Sequence, residues 1–225
     1  GASAYGEVDI ALAFGCALVF AEAWDTENLV AEIRRHSVTC SGLVPSVLAA
    51  IEHRDVPTLR CVFTWGEALQ ARVAREWAKH VRLIDLLIST ECWLSLYADW
   101  TASGDRDLPV FVTVPGTQVR LRPVQDGGPD IPTTAGEAAS GELLVAGPMV
   151  SAGYTDEVLN AAAFEVDASG KQWYCTKDCL RAVPGGYRFA GRADDLVKVG
   201  GVWVDTGDVQ ATLRGLPGVS EACVC

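Results

Sequence analysis

The chain has 225 residues and a mass of 23.9 kDa, enough to bury one large core or two smaller ones. Its 49% hydrophobic and 21% charged residues form a globular mix that excludes disordered, collagen-like and coiled-coil chains. The formal net charge of −11 repels phosphate backbones and argues against nucleic-acid binding. The longest apolar run, Ile10 to Ala23, is interrupted by Glu22 and falls short of the roughly 18 residues of a membrane span. No span is therefore expected.

In chain order, Ala17 to Ala21 reads as a strand. Glu27 to His36 reads as a helix, with Leu29, Val30 and Ile33 on one face and charges opposite. Val38 to Leu43 is strand-like, and Pro45-Ser46 opens a helix through Ile51, proline being suited to a first turn. Leu59 to Thr64 predicts a strand, Leu69 to His80 an amphipathic helix, and Val81 to Ile88 a further strand. Strands and helices alternating at this spacing predict an α/β layer with a mainly parallel sheet over residues 1–100. From Asp107 to Tyr154 proline and glycine recur between short alternating runs, Gln118 to Arg122 and Gly141 to Val145, with Gln125 to Ala139 as a solvated loop. This predicts a small β-rich subdomain over residues 101–192. Trp173 to Val204 reads as strand, glycine-rich turn and strand, and a short helix begins near Asp205.

The eight cysteines sit mostly in apolar runs, where a free thiol acts as a small hydrophobe. Cys175-x-x-x-Cys179 and Cys223-x-Cys225 lack zinc-ribbon spacing. Reduced thiols, and with them an intracellular, reducing compartment, are expected.

Several residues could serve a nucleotide or anion. Ser89-Thr90-Glu91 follows an apolar strand, putting a hydroxyl and a carboxylate where open α/β sheets hold ligands. Thr176 and Asp178 follow another strand-like stretch, and a carboxylate there can take two ribose hydroxyls. Arg192 lies beside Asp194 at a possible hinge, and Lys198 is a cation within an apolar strand. Each residue also has a structural use: such side chains cap helices, bond their own turns or form surface ion pairs.

The order of the motifs says more. Gly66-Glu67-Ala68-Leu69 comes first, then Ser89-Thr90-Glu91, then Gly141-Glu142-Leu143 running on to Gly153-Tyr154. Trp173 to Asp178 follows, and last the stretch from Gly191-Arg192-Ala193-Asp194-Asp195 to Val204. This series resembles the adenylate-forming superfamily of acyl- and aryl-CoA ligases, peptide-synthetase adenylation domains and luciferases. Tyr187 to Asp195, Val202-Trp203-Val204 and Ala4-Tyr5-Gly6 look most like the benzoate-CoA ligase branch.

The resemblance implies a partial adenylate-forming fold: sheet and helices over 1–100, the β-rich subdomain over 101–192, and the hinge and start of a small C-terminal domain over 193–225. It implies that Thr90 and Glu91 hold phosphate and Mg²⁺, with Glu91 the metal ligand. Asp178 would bind ribose, Arg192 the nucleotide, and Gly66 and Glu67 would border the adenine and acid pockets. Asp194 would be the hinge. ATP or AMP with Mg²⁺ would be the cofactors, and CoA or a carrier-protein thiol the acceptor.

The same resemblance puts the family's phosphate loop before Gly1 and its late lysine beyond Cys225. The chain, which lacks a recognisable signal peptide, is thus expected to be a piece of something longer, its open sheet face covered by the missing parts or by another protein. It also departs from the family pattern. Trp65 stands where a small residue is usual, Lys177 and Ile88 replace glycines, and Asp205-Thr-Gly-Asp208 is a loose version of a segment ending in Glu. Ala2 offers no amine-binding carboxylate, which favours an aryl or other non-amino acid. Two functions are consistent with these residues: part of an acid–thiol ligase, or a ligase fold kept as a catalytically inactive scaffold.

Overall fold

The computed structural model describes residues 2–21, 25–102, 110–123, 131–132, 140–199, 202–214, 216, 218–219 and 222–224. The chain divides into two compact units, residues 1–115 and 116–225.

The first unit carries a five-stranded sheet of β1 (Cys40–Gly42), β2 (Cys61–Thr64), β3 (Arg82–Ser89), β4 (Trp93–Asp99) and β5 (Val112–Thr113), in that spatial order. β1, β2 and β3 are mutually parallel, whereas β4 and β5 add on antiparallel. Crossover helices make the parallel pairing possible. They are α3 (Pro45–Ala50), between β1 and β2, and α4 (Ala71–Ala78), between β2 and β3. α2 (Thr26–Arg35) leads into β1, and all three lie within two residues of where their apolar stripes predict them. Asp25 caps α2 by accepting from the Asn28 N–H at 2.9 Å. Ile33, Leu48, Ala74 and Trp77 from these helices bury against Val62 and Leu83 of the sheet. The Trp77 indole N–H donates to the Leu48 carbonyl at 2.9 Å, so this large ring is buried with its polar atom satisfied.

One expectation fails in this unit. Ala17 to Ala21 forms no strand; Phe20 is 75% exposed, and no described strand lies alongside to complete its backbone hydrogen bonds. Ahead of it, Ala2–Phe14 is helix α1, whose apolar residues follow no helical period that could be read from the sequence. Leu12 and Phe14 on α1 are also largely exposed.

The second unit is an antiparallel sheet in the order β11-β10-β8-β6-β7, with β9 pairing β10. Its strands are β6 (Gln118–Arg122), β7 (Ile131–Pro132), β8 (Ser140–Ala146), β9 (Phe164–Val166), β10 (Gln172–Val183) and β11 (Gly186–Arg192). Helix α5 (Glu157–Ala163) precedes β9. β8 is buried along almost its whole length, which explains its unbroken Leu143-Leu144-Val145-Ala146 run. Arg120 stacks its guanidinium 3.9 Å from the Trp173 ring centre and pairs with Asp167, which also accepts from the Trp173 indole. After β11 come the hairpin β12 (Leu196–Val199) and β13 (Val202–Asp205), then α6 (Thr206–Arg214). Most of the expected Gln125–Ala139 loop lies outside the described residues, as do Gly200-Gly201 and the Lys198 side chain.

Among the described cysteines none is in a disulfide. Cys92, Cys175 and Cys179 are buried, but Cys16, Cys40 and Cys223 are exposed, so only part of the set serves as core. Among the described residues no helix is long and apolar enough to cross a membrane.

Candidate functional site

In the first unit the motif residues gather at the C-terminal ends of the parallel strands. Thr90 and Glu91 form the turn between β3 and β4, Thr90 exposed and Glu91 half-buried. Gly66 follows β2 at φ +84°, a left-handed conformation that glycine adopts without strain. Glu67 beside it is committed: its two carboxylate oxygens accept from the Ser46 N–H at 2.9 Å and the Ser46 hydroxyl at 3.0 Å. Glu67 thereby ties the loop to the first turn of α3.

Between α1 and the sheet runs a cleft lined by Glu7, Ile10, Gly42, Phe63, Trp65 and Ile88, with a volume of about 40 Å³. That is room for a few water molecules and not for an aryl ring. Trp65 accounts for the narrowness. A Cβ on Gly42 would lie 2.3 Å from the indole Cη2, so the ring rests on bare backbone. Glu7 accepts from the Gly42 N–H at 3.0 Å, and burial pushes its carboxyl above the usual range. No pattern along the chain signals Glu7 or Gly42, since their proximity depends on how α1 docks on β1.

The second unit holds Asp178, Arg192 and Asp194 together. Asp178 and Arg192 are register partners on β10 and β11, and Arg192 Nη1 donates to Asp178 Oδ1 at 3.0 Å. The same guanidinium forks onto Asp194, with Nε and Nη2 each donating to a carboxylate oxygen at 2.9 Å. This bidentate geometry is what arginine supplies and lysine cannot. Burial raises the Asp178 carboxyl to about 6, against the opposing pull of Arg192. For Asp194 the Arg192 hydrogen bonds dominate and hold it low.

Asp178 does not follow a strand end as expected; it lies inside β10. The ladder shifts register between Cys175 and Cys179 on the β8 side and between Asp178 and Leu180 on the β11 side, and this bulge re-aims its side chain. Buried Thr176 donates to the Leu143 carbonyl at 2.9 Å and accepts from the Asp178 N–H at 3.0 Å, fixing the bulge. Lys177 within it sits at φ +66°, a conformation that costs an L-residue with a side chain about 1 kcal/mol. Its N–H and ammonium both approach Glu142 Oε1, at 3.3 and 3.4 Å.

Comparison with known proteins identifies the family. Residues 3–155 match the family model described as AMP-binding enzyme, and the chain belongs to that family. The nonribosomal peptide synthetase easA of Emericella nidulans is 29% identical over 93% of this chain and 3% of its own length. The peptide synthetase malG of Malbranchea aurantiaca is 31% identical over 95% of this chain and 9% of its own. Among solved structures, o-succinylbenzoate CoA synthetase from Bacillus subtilis with its acyl-adenylate intermediate superposes with a TM-score of 0.82 at 21% identity. That match covers 99% of this chain and 45% of the other. Klebsiella oxytoca NpsA with 3-hydroxyanthranilyl-AMSN gives 0.81 at 21% identity, over 100% of this chain and 48% of its own. The chain therefore spans under a tenth of these curated relatives and about half of the solved chains, and its fold is the corresponding part of the adenylate-forming fold.

Proposed function

We propose that the chain is the middle of an ATP-dependent enzyme that activates a carboxylic acid as its adenylate and passes the acyl group to a thiol. The acid's carboxylate attacks the α-phosphorus of ATP, pyrophosphate leaves, and the thiol then displaces AMP. The observation that carries this reading is Asp178, a half-buried carboxylate on a bulge built to aim it, paired in register with Arg192. Residues 1–100 and 101–192 then belong to the large domain, and 193–225, after the Asp194 hinge, begin the small one.

The donor set suits the ligands. Asp178 would take the ribose hydroxyls, Arg192 the nucleotide, Thr90 a phosphate oxygen and Glu91 a magnesium ion, whose taste is for hard oxygen donors. Among the described residues no three acidic, His or Cys side chains converge, so such an ion would complete its shell with phosphate and water. Bound Mg²⁺ supplies neutralisation of the phosphate charge. Gly66 borders the nucleotide, and Glu67 acts by fixing the Gly66 loop to α3. Relatives named as peptide synthetases favour a carrier-protein thiol over CoA as acceptor. An aryl or other non-amino acid follows if position 2, an alanine, is the one where amino-acid-activating domains carry Asp. The exposed apolar side chains of α1 call for a cover from the rest of the fold or from a partner chain.

The second reading, an inactive scaffold, is favoured by one observation: Trp65 fills the cleft. The test is AMP binding by calorimetry and ATP–pyrophosphate exchange over a panel of acids, in the full-length protein. On the ligase reading AMP binds, and Asp178→Asn weakens it at least about tenfold, the loss of one good charge-assisted contact. Because the ionised carboxylate is the competent acceptor, affinity should fall as the pH drops through about 6 in the parent and not in Asp178→Asn. Binding without exchange, restored to exchange by Trp65→Gly, would identify a blocked acid pocket. Absence of AMP binding at every pH would sink the ligase reading.

A further inference from the structure

At the opposite end of the sheet from the Thr90 turn, β1 begins with Cys40 and β2 with Cys61, and the two are register partners on adjacent parallel strands. Partnered side chains on parallel neighbours point to the same face. Strands lie about 4.8 Å apart, inside the 4.4–6.8 Å span of Cα separations that a disulfide bridges. Cys61 is in turn the register partner of Arg82 on β3. One row across the sheet thus reads thiol, thiol, guanidinium. Cys40 is exposed on the edge strand and Cys61 half-buried behind it, and both are free thiols. Proposals for the other cysteines find less support. Cys92, Cys175 and Cys179 are buried, and the register of β8 with β10 sets no cysteine opposite Cys175 or Cys179.

From this row we infer that Cys40 and Cys61 form a thiol–disulfide exchange site for small disulfides, with Cys61 the attacking thiol and Cys40 the resolving one. The Cys61 thiolate attacks one sulfur of a low-molecular-weight disulfide, forming a mixed disulfide and expelling one thiolate. Cys40, once deprotonated, attacks the Cys61 sulfur and expels the second. The protein pair loses two electrons and two protons; the small disulfide gains them and leaves as two thiols.

The register assigns the order of attack: Arg82 stands opposite Cys61, and Cys40 lies one strand further away. Hydrogen bonding from Cys40 brings the Cys61 thiol down to about 7; burial opposes this, and the charge of Arg82 assists it. Cys40 is pushed the other way by its hydrogen bond to Cys61, by burial and by Glu7 and Cys16 nearby. Arg82 itself is held in place by Asp99, with Nε donating to Oδ2 at 2.9 Å. Closing the bond would staple the edge strand to its neighbour two residues from Gly42, the floor on which Trp65 rests.

The test uses the full chain, reduced and freed of small thiols, with oxidised glutathione as the probe and peptide mass mapping as the readout. The expected product is a Cys40–Cys61 linked peptide, while Cys40→Ser stops at a glutathione adduct on Cys61. Cys61→Ser should leave Cys40 no more reactive than Cys223. With its thiolate fraction raised and its nucleophilicity correspondingly lowered, Cys61 should alkylate roughly three-fold faster than an ordinary exposed cysteine at pH 7. Unfolding in urea should erase that difference, which separates a folded-state site from an intrinsic one. Equal rates for Cys61 and Cys223 in the folded chain, adducts spread evenly over Cys40→Ser, or a Cys16–Cys40 link in place of the expected one would each overturn the proposal.

Discussion

Lys177 holds a backbone angle that glycine would hold more cheaply, and it does so because its neighbours leave no choice. Thr176 is pinned to β8, Asp178 is pinned to Thr176, and the bulge between them must turn left-handed. The ammonium contact with Glu142 returns part of the cost, but the lysine is half exposed and such a pair contributes little. Two substitutions separate these effects. Lys177→Ala keeps the strain and loses the ammonium, whereas Lys177→Gly loses both. In urea unfolding the glycine variant should exceed the alanine variant by about 1 kcal/mol. An alanine variant equal to or better than glycine would mean that the left-handed angle is not held in solution. Thr90, Glu91, Asp178 and Arg192 are singled out along the chain by the order of their motifs alone, since polar groups in turns and at strand ends are common. The pairing of Arg192 with both Asp178 and Asp194 is not legible there, since it needs the hairpin register.

Among the elements, β3 carries a liability in its middle. Asp85 is buried, and desolvation pushes its carboxyl to about 7 even though the nearby Trp100 indole and the Leu86 backbone pull it down. The folded state therefore holds a proton that the unfolded chain, with an ordinary carboxyl near 3.8, gives up much earlier. Stability from this group is fully present below about pH 4 and is lost as the pH rises to about 7, a change on the order of 4 kcal/mol. Asp85→Asn should flatten that slope and be the more stable protein at pH 8; parallel curves for the two proteins would refute the assignment. Another test sits where β1 meets the cleft. Gly42→Ala should destabilise by about 1–3 kcal/mol through the clash with Trp65, and by less in a Trp65→Gly background. Elements with a period are legible along the chain, as α2, α3 and α4 show. α1 is not, because its apolar residues follow no helical period, and Ala17 to Ala21 misleads because strand-like composition without a neighbouring strand makes no strand.

At the scale of the whole molecule, the first unit displays Leu12, Phe14 and Phe20 to solvent, more apolar surface in one stretch than a monomer leaves uncovered without a purpose. The isolated 225-residue chain should self-associate or bind a hydrophobic dye, and sedimentation should show a mass that rises with concentration. A monodisperse monomer that unfolds in a single cooperative step would show that this face needs no cover. Composition does not reveal this, since an apolar helix inside a larger fold and one at its surface have the same residues.

The two units also differ in how far along the chain their partners lie. β1, β2 and β3 meet only after helical crossovers, whereas Asp178 and Arg192 are joined by one hairpin and stand 14 residues apart. Hairpins of this kind close in roughly 1–10 microseconds, long before parallel strands find one another. The clamp on Arg192 is thus among the first features of the chain to exist in time. In a refolding chain, half of the candidate nucleotide site would stand before the parallel sheet had assembled.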